Sequence, residues 1–263
     1  MTFTEPDPGV GLITMNRPER LNAINPDMLM DFEALFTGLA QDETIRVLIL
    51  TGAGRGFCSG ADLNEAMANR DSEAFADPEH FLRIAQERYA GLILGLRAIP
   101  QPVIAAVNGA AAGAGMNLAL ACDIRLASTT ARFAEAFVKR GLHVDWGGTY
   151  FLPRVVGMAR ACELIFTGDA IDAEEALRLG LVSAVHPPER LLPAARELAR
   201  RIAAGPPLAI RLAKRALYHN QEADLRAALE FETFAQNVCL ETEDAREGLR
   251  AFVEKRAPVF RGR

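Results

Sequence analysis

A single carboxylate stands among apolar residues and glycines in the segment GLHVDWGGT, which runs from Gly141 to Thr149. It belongs to Asp145, and a charge in apolar surroundings is costly unless it is paired or used. Asp145 could cap the helix that WGGTYFLPRVVG predicts. It could also take up and release a proton during a reaction. The local sequence by itself favours the helix cap.

Two glycine-rich stretches could supply backbone N–H donors to a reaction site. Gly52 to Gly60 leads to Ala61, and Gly109 to Gly115 leads to a helix that carries Asn117. N–H groups that converge from two such loops, one of them at a helix N-terminus, would form an oxyanion hole. Close packing of a helix on a strand is the alternative explanation for the same small residues. Neither stretch matches GxxxxGK[ST], which excludes a phosphate-binding P-loop.

Other kinds of catalytic centre have little support. No GxSxG nucleophile elbow occurs, because Ser59 in CSGAD lacks the first glycine of that motif. The four cysteines and four histidines are scattered, without HExxH or paired-cysteine spacing, so we expect no metal site and a reducing environment. Among the histidines, His143 lies near Asp145, where a loop or pocket-wall position is expected.

The elements that must position these residues alternate between strand and helix. Strands are predicted at the apolar runs Val10–Met15, Arg46–Gly52, Pro102–Gly109 and Asp123–Ser128. Helices are predicted from Asn25-Pro26 to about Asp42, from Pro78 to Ile99, and after a loop in AAAGAGMNLALACD. This alternation predicts an α/β core. From Met158 onward the pattern is helical, and residues 187–256 predict a helical appendage.

Composition limits the classes of partner. The chain has 263 residues, 50% of them hydrophobic and 24% charged, with a net charge of −5, which is typical of a globular protein. Without a basic stripe, nucleic acid is not expected as a partner. The most apolar stretch, Val103 to Ala121, is interrupted by glycines and two asparagines, so no membrane span is expected. The first residues lack the features of a signal peptide, and we expect a cytoplasmic protein.

Six segments, in order along the chain, carry a resemblance to a known family. They are NRPERLNAIN, GRGFCSGADL, PVIAAVNGAAAGAGMNLALACDIRLAS, GGTYFLPRVVG, TGDAIDAEEALRLGLVSAV and AFVEKR. Together they resemble the enoyl-CoA hydratase/isomerase (crotonase) superfamily. The resemblance implies an α/β crotonase fold, with stacked ββα units over residues 1–200 and a C-terminal helical trimerisation region over residues 201–263. It also implies acyl-CoA thioester substrates, a homotrimer or a dimer of trimers, and no cofactor, since coenzyme A is part of the substrate.

Residue by residue, the resemblance assigns the oxyanion donors to the backbone N–H groups of Ala61 and Ala114. Many members have glycine where this chain has Ala114, which is tolerable if the backbone angles suit alanine. The resemblance also implies substrate-binding positions at Asp62, Leu63, Asn64, Arg20, Leu21, Phe252 and Lys255. In relatives the last two reach the CoA of a neighbouring subunit, although a plain surface role is the alternative for Lys255. Asp62 is expected to order its loop rather than to act as a base.

The sequence departs from the family's hydratases at both of their catalytic glutamates. One glutamate follows the second oxyanion donor by three residues, where this chain has Asn117, and the other is replaced by Phe137. Hydration needs a base for water and an acid for carbon, and neither an amide nor a phenyl ring can serve. Glu135 is the remaining candidate for a substitute base. Efficient hydration is therefore not expected.

Asp145 occupies a position where several members carry an acting carboxylate, among them the ring-1,2-epoxyphenylacetyl-CoA isomerases, which the surrounding residues resemble most. One carboxylate can move a double bond, because it removes a proton from one carbon and returns it at another. Apolar pocket residues that would raise its pKa are Phe137, Leu142, Val144 and Trp146. We therefore expect an enoyl isomerase, acting by a double-bond shift or a ring-epoxide/oxepin-type isomerisation, with Asp145 as proton shuttle.

Three alternatives stay open. They are an enoyl-CoA hydratase with a non-standard base, a dehalogenase in which Asp145 attacks an aromatic carbon, and an acyl-CoA-binding homologue without catalysis. Asn117 is a catalytic candidate that could orient substrate or hydrogen-bond Asp145, or could merely help to start its helix. The acyl group is not readable from the sequence, but residues 64–79 are expected to form a wall of its pocket.

Overall fold

The computed structural model describes residues 1–62 and 85–263 and has an α/β architecture with two sheets. Its strands are β1 Thr2–Asp7, β2 Val10–Met15, β3 Val47–Gly52, β4 Gly56–Cys58, β5 Val103–Val107, β6 Ala110–Ala112, β7 Ile124–Ser128, β8 Arg132–Ala134, β9 Ile171–Asp172 and β10 Ala184–His186. Its α-helices are α1 Pro26–Gln41, α2 Gly91–Ala98, α3 Ala114–Ala121, α4 Gly148–Val156, α5 Met158–Thr167, α6 Ala173–Arg178, α7 Pro188–Ala203, α8 Pro207–His219, α9 Leu225–Leu240 and α10 Glu243–Glu254. A π-helical segment, Ala85–Ala90, leads into α2, and 3-10 turns lie at Pro18–Arg20 and Val138–Arg140.

The two sheets repeat the same chain order. The larger sheet has the order β1-β2-β3-β5-β7-β10 and is parallel from β2 onward, whereas the smaller sheet has the order β4-β6-β8-β9 and is parallel from β4 to β8. Each of β3, β5 and β7 is followed at once by its short partner in the smaller sheet. These units stack side by side, so the chain segments that leave β4 and β6 are neighbours.

Both faces of the larger sheet are buried, as the alternation of side chains in β3 illustrates. Leu48 and Leu50 belong to the cluster that includes α1 and α2, whereas Val47 and Ile49 pack with α7. Because successive strand side chains point to opposite faces, a continuous apolar run is what a strand covered on both sides requires. This burial fixes the strand ends from which the candidate site is built.

The strands predicted from apolar runs are confirmed, with ends that agree within two residues, and α1 begins at Pro26 after the Asn25 cap. Two expectations were wrong. Ala110–Ala112 is strand β6 rather than loop, because it pairs with β4 and β8. The region after Met158 is not wholly helical, since β9 belongs to the smaller sheet and β10 to the larger sheet. The predicted helix from Pro78 to Ile99 is described only from Ala85 onward.

Helix α7 covers the larger sheet and ends at Ala203, and α8 to α10 follow it. The predicted boundary at residue 200 thus falls inside α7, and the division into a core and a trimerisation region stays a prediction. Within the described residues, no helix is long and apolar enough to span a membrane.

Candidate active site

The segments that follow β4 and β6 touch through their backbones. Gly60 has φ +102°, and a Cβ there would lie 3.0 Å from the Ala112 carbonyl oxygen and 3.5 Å from the Ala114 nitrogen. A Cβ on Gly115 would lie 2.1 Å from the Cys58 carbonyl oxygen, which no side chain permits. Glycine at both positions allows the two segments to meet. We call residues 59–62 and 113–115 the donor loops.

The N–H groups of Ala61 and Ala114 have no acceptor within residues 1–62 and 85–263. Around Ala61, the Ile24 N–H donates to the Gly60 oxygen at 2.8 Å and the Asp62 N–H donates to the Ile24 oxygen at 2.9 Å. Ala114 is the first residue of α3, at the positive end of the helix dipole, and its φ is not positive. Alanine therefore fits there, and two unpaired donors lie on neighbouring loops.

Asp145 opens a tight turn at the start of α4. The Gly148 N–H donates to the Asp145 carbonyl oxygen at 3.1 Å, and the two residues between them have positive φ, +52° at Trp146 and +81° at Gly147. This is the pattern of a type I′ turn. The left-handed conformation of Trp146 costs about 1–2 kcal/mol, so its surroundings must hold it. We call residues 145–148 the Asp145 turn.

The helix-cap interpretation of Asp145 was wrong. Helix α4 begins at Gly148 with Gly147 as its N-cap, and no side chain caps it. The sequence WGGTYFLPRVVG contains a helix, but the glycines delay its start until after the turn. The Asp145 side chain therefore does not cap α4.

A hydrogen bond from the Asn117 side chain helps to hold the Asp145 turn. Its Nδ2 donates to the Asp145 carbonyl oxygen at 2.8 Å, and the residue is fully buried. A Cβ on Gly148 would lie 2.6 Å from the same Nδ2, so the amide is pressed against the turn. Full burial keeps Asn117 away from any molecule in the neighbouring cavity. The catalytic role predicted for Asn117 stays a prediction that this placement does not favour.

A cavity of about 610 Å³ lies between the Asp145 turn, α2 and the end of α8. Aromatic and aliphatic side chains dominate its wall, and the rings of Tyr89 and Trp146 have centroids 5.4 Å apart. The lining residues are Tyr89, Ala90, Ile93, Leu94, Arg97, Asp145, Trp146, Gly147, Tyr150, Phe151, Tyr218 and Glu222. Asp145 faces this cavity, while Val144 and Trp146 on either side are buried.

The surroundings of Asp145 raise its affinity for a proton. Although the residue is exposed, desolvation by its apolar neighbours raises the pKa of the Asp145 carboxyl to about 6, and its own backbone N–H and the charge of His143 offset part of this rise. A carboxylate near pH 6 is a stronger base than an ordinary aspartate and, once protonated, still a usable acid. The Asp145 carboxyl can therefore both accept and release a proton at neutral pH.

Glu135 and Phe137 both follow β8 but have different surroundings. Glu135 is fully buried, and desolvation raises the pKa of its carboxyl to about 8, an effect that the Asp145 charge adds to and the Asn117 side chain reduces. A buried carboxyl does not reach a substrate in the cavity, so the substitute-base interpretation of Glu135 has no support. The Phe137 ring lies against Gly113, 3.5 Å from where a Cβ would stand.

Arg20 and Leu21 lie along the segment that leads to Ala61. The Ser59 Oγ–H donates to the Arg20 oxygen at 3.1 Å, and the Ser59 N–H donates to the Leu21 oxygen at 3.0 Å. Asp62 is buried and forms a salt bridge with Arg17 at 2.9 Å. This pairing agrees with a loop-ordering role for Asp62.

Several predicted site residues are not brought to the cavity. Leu142 and His143 are exposed and do not line it, and Phe252 and Lys255 are exposed on and after α10. Leu63 and Asn64, and the predicted pocket wall at residues 64–79, lie outside the described residues. Within one chain, therefore, the predicted contribution of α10 to a CoA site is not visible.

The sequence reasoning missed the far wall of the cavity. The Arg97 guanidinium carbon lies 3.1 Å from the centroid of the Tyr218 ring, and the Tyr150 hydroxyl donates to Glu222 at 2.7 Å. Tyr218 and Glu222 come from the end of α8 and the loop after it, far along the chain from Asp145. No local motif marks them, because only chain folding brings them to the site. Within the described chain, no cluster of three or more His, Cys, Asp or Glu residues could hold a metal ion.

Comparison with known proteins relates the whole chain to one family. The family model for enoyl-CoA hydratase/isomerase matches residues 5–263. The chain is 43% identical over 256 residues to the 1,2-epoxyphenylacetyl-CoA isomerase of Escherichia coli (strain K12), covering 97% of this chain and 96% of the relative. It is 40% identical over 248 residues to the short-chain-enoyl-CoA hydratase of Clostridium acetobutylicum, covering 94% and 92%. The crystal structure of enoyl-CoA hydratase from Bacillus anthracis superposes with a TM-score of 0.92 at 38% identity, covering 100% and 99% of the two chains. The predicted crotonase fold is confirmed.

Proposed function

Because the chain belongs to the enoyl-CoA hydratase/isomerase family, we propose that it is an acyl-CoA enoyl isomerase that shifts a double bond through a thioester enolate. The observation that carries this proposal is the placement of Asp145, whose carboxyl faces an apolar cavity and has a pKa raised to about 6. Coenzyme A enters as part of the substrate, and the proposal requires no further cofactor.

The donor loops would hold the thioester oxygen. The N–H groups of Ala61 and Ala114, unpaired within the described residues, lie on loops in backbone contact, and the second stands at the start of α3. Negative charge grows on the thioester oxygen as the enolate forms, and fixed donors stabilise it without reorganisation. Removing one such donor typically costs about 2.7–4 kcal/mol of transition-state stabilisation. Backbone donors explain why the site tolerates Ala114.

Asp145 would act first as base and then as acid. The ionised carboxylate takes a proton from one carbon of the acyl chain, the electrons pass into the enolate, and the double bond moves. The same carboxyl then returns the proton to another carbon, which restores Asp145. A pKa of about 6 leaves the carboxyl mostly ionised at neutral pH. It also reduces the difference between the pKa of Asp145 and the higher pKa of the substrate C–H group, which favours proton transfer.

Hydration is the second candidate, because a relative that is 40% identical is named a hydratase. Against it stand the amide of Asn117 and the ring of Phe137 at the positions of the hydratase glutamates. Glu222, another carboxylate at the cavity wall, accepts a hydrogen bond from Tyr150 at the exposed rim. Isomerisation needs one proton-transfer group, whereas hydration needs two in concert, so this site suits isomerisation better.

The cavity wall favours a ring-bearing or otherwise bulky acyl group. Tyr89, Trp146, Tyr150, Phe151 and Tyr218 surround it, and aromatic walls favour flat apolar ligands. The relative named for 1,2-epoxyphenylacetyl-CoA is consistent with such a substrate class. A ring-epoxide or oxepin-type isomerisation would use the same base and the same donors.

A trimer or a dimer of trimers is the assembly we propose. Helix α10 exposes Leu249, Phe252 and Val253, and α9 exposes Leu225, Leu229 and Phe234. Such apolar surface is typical of an interface between subunits. In that assembly Phe252 and Lys255 would approach the CoA of a neighbouring subunit. Light scattering after size-exclusion chromatography measures the subunit number, and a monomer would contradict this part of the proposal.

The decisive experiment follows proton exchange in deuterated water. Wild-type protein is incubated with a 3-enoyl-CoA and, separately, with crotonyl-CoA, and both deuterium incorporation and product are measured. We expect incorporation with a double-bond shift, reduced about 10²–10⁴-fold in Asp145→Asn because the general base is lost. Asp31→Asn, a surface aspartate on α1 that pairs with the N-terminal amine, is the matched control and should exchange like the wild type.

Two results would overturn the proposal. Rapid hydration of crotonyl-CoA that survives Asp145→Asn would make the protein a hydratase with another base. Tight acyl-CoA binding without exchange on either substrate would make it a binding protein without catalysis.

A further inference from the structure

Behind the Asp145 turn lies a pair of buried polar residues that the proposed reaction does not use. Glu135 and Asn117 are both fully buried. Within the part of the chain that the structure describes, both oxygens of Glu135 and the Oδ1 of Asn117 lack a hydrogen-bond partner of ordinary geometry. A buried polar atom without a partner costs about 1–3 kcal/mol, more when it is charged. Three such oxygens together require an explanation.

The fold brings these two residues together by backbone hydrogen bonds. At the end of β8, the Ala134 carbonyl oxygen accepts from the Gly113 N–H at 2.8 Å, and one helical turn later the Asn117 N–H donates to the Gly113 oxygen at 3.0 Å. Glu135 therefore leaves β8 beside the first turn of α3. On its other side, Asn117 donates its Nδ2 to the Asp145 carbonyl oxygen at 2.8 Å. The Asn117 side chain, which lies close enough to Glu135 to lower the pKa of its carboxyl, therefore stands between Glu135 and the Asp145 turn.

A proton on Glu135 explains the arrangement. Three acceptor oxygens in a dry interior lack a donor, and a neutral carboxylic acid supplies one while removing the buried charge. We infer that Glu135 is held as a neutral acid and, through Asn117, positions the Asp145 turn. Its link to catalysis rests on the proposed role of Asp145, but the protonation and the coupling to the turn do not.

The charges around Glu135 support this assignment. Burial raises the pKa of Glu135 to about 8, and the Asp145 charge, facing it across Asn117, adds to the rise. His143 acts on Asp145 and lowers the pKa of that carboxyl. Lys139 and Asp169, near Gly168 on the outer side of Glu135, neutralise each other in a 2.7 Å ion pair. Among these groups, none offers Glu135 a free positive charge.

Ionisation of Glu135 would disturb the Asp145 turn. A carboxylate attracts the Nδ2 hydrogens of Asn117, and the same Nδ2 holds the Asp145 carbonyl. Competition for this donor weakens the bond that helps to keep Trp146 at positive φ. Glu135 is thus a positioning residue whose charge state is passed to the turn by one amide.

Trp146 is the single tryptophan of the chain and lies inside the turn, so its fluorescence reports the coupling directly. We expect two steps in an emission titration, one near pH 6 that Asp145→Asn removes and one near pH 8 that Glu135→Gln removes. Asn117→Ala should remove the second step while leaving Glu135 to titrate. A step near pH 8 that persists in Glu135→Gln would overturn the coupling.

Infrared spectroscopy tests the protonation without any substrate. The difference between protein labelled with ¹³C-glutamate and unlabelled protein at neutral pH should contain the carbonyl band of a protonated carboxylic acid, which disappears above pH 8 and is absent in Glu135→Gln. Absence of this band in the wild type overturns the inference, and the labelled wild type suffices even if the variant does not fold. If the band and the fluorescence step are present but no acyl-CoA is isomerised, the proposed function fails and the inference stands.

Discussion

The donor loops and the Asp145 turn are linked through α3, which begins at Ala114 and carries Asn117, but they are built by different means. In the donor loops, Gly60 and Gly115 let two backbones touch, and the groups that would act are main-chain N–H donors. In the Asp145 turn the group that would act is a side chain, carried on a turn with positive φ at Trp146 and held by the amide of Asn117. The donor loops are disrupted if a methyl group is added at Gly60 or Gly115, whereas the Asp145 turn is disrupted if one hydrogen bond is lost.

This difference indicates which substitutions the candidate site can tolerate. Backbone donors survive changes of side chain, as Ala114 illustrates, provided that the close approach is kept. The turn stores strain of about 1–2 kcal/mol at Trp146, so it depends on every contact that opposes relaxation. Four predictions test this difference between the donor loops and the Asp145 turn.

The largest effect is expected from Gly115→Ala in the donor loops. Its Cβ would overlap the Cys58 carbonyl oxygen, at a separation of 2.1 Å, so the loops must move apart and the oxyanion donors diverge. We expect kcat to fall about 10²–10³-fold and the free energy of unfolding to fall by roughly 3 kcal/mol or more. Enzyme kinetics and urea unfolding measure both quantities.

Gly38→Ala is the matched control for this prediction. Gly38 lies in α1, and nothing stands within 4 Å of the Cβ that alanine would add. Alanine in a helix interior is more favourable than glycine by about 0.5–1 kcal/mol, so this variant should be slightly stabilised and fully active. Equal behaviour of the two variants would show that the close approach of the donor loops is unimportant.

An intermediate effect is expected from Asn117→Ala, which removes the bond to the Asp145 turn. We expect the free energy of unfolding to fall by about 1–3 kcal/mol and kcat to fall about 10–10²-fold with little change in KM, because positioning rather than binding is lost. Asn237→Ala, an exposed asparagine on α9, is the control. An equal loss in both variants, or a loss confined to KM, would argue against the positioning role.

A smaller effect is expected from Gly147→Ala in the same turn. Gly147 has φ +81°, and a Cβ would lie 2.6 Å from the Phe151 ring. The left-handed conformation costs alanine about 1–2 kcal/mol, and the ring must also shift, so thermal unfolding should move to lower temperature. Gly141→Ala, at φ +68° and ψ +23° with open space around it, isolates the cost of the left-handed backbone. A larger loss for Gly141→Ala would contradict this account.

The smallest expected effect is a dependence on pH that needs no mutation. Asp145 must be ionised to act as base, and its pKa is raised to about 6, so kcat/KM should fall about tenfold per pH unit below that value. Because this folded-state pKa exceeds the unfolded one, the wild type binds more protons than the unfolded chain between the two values. Its stability therefore decreases as pH rises through that window, and Asp145→Asn should flatten the slope. A flat pH–rate profile between pH 5 and pH 7 would contradict the role of Asp145.

Prediction from sequence was most successful where the signal is local. The apolar run Val47–Gly52 predicts a strand covered on both faces, and the Asn25-Pro26 pair predicts the start of α1. It was least successful where pairing is long-range. Ala110–Ala112 is too short to show any alternation and becomes a strand because β4 and β8 lie beside it. The helix cap that the local sequence favours for Asp145 is absent because two consecutive left-handed residues, Trp146 among them, separate Asp145 from α4, and such a pair leaves no clear mark in sequence.

Residue type and short spacing in the sequence are enough to indicate the α/β class and the two glycine-rich segments, whereas the family resemblance marked Ala61, Ala114 and Asp145 as candidates. Tertiary structure alone decided which groups surround that carboxylate. Tyr218 reaches the cavity from α8, Asn117 turns away from it to hold a backbone oxygen, and Glu135 lies buried behind both. The physical reason is that pKa, strain and hydrogen-bond satisfaction depend on the three-dimensional environment of a group, and residues far apart in the chain supply that environment.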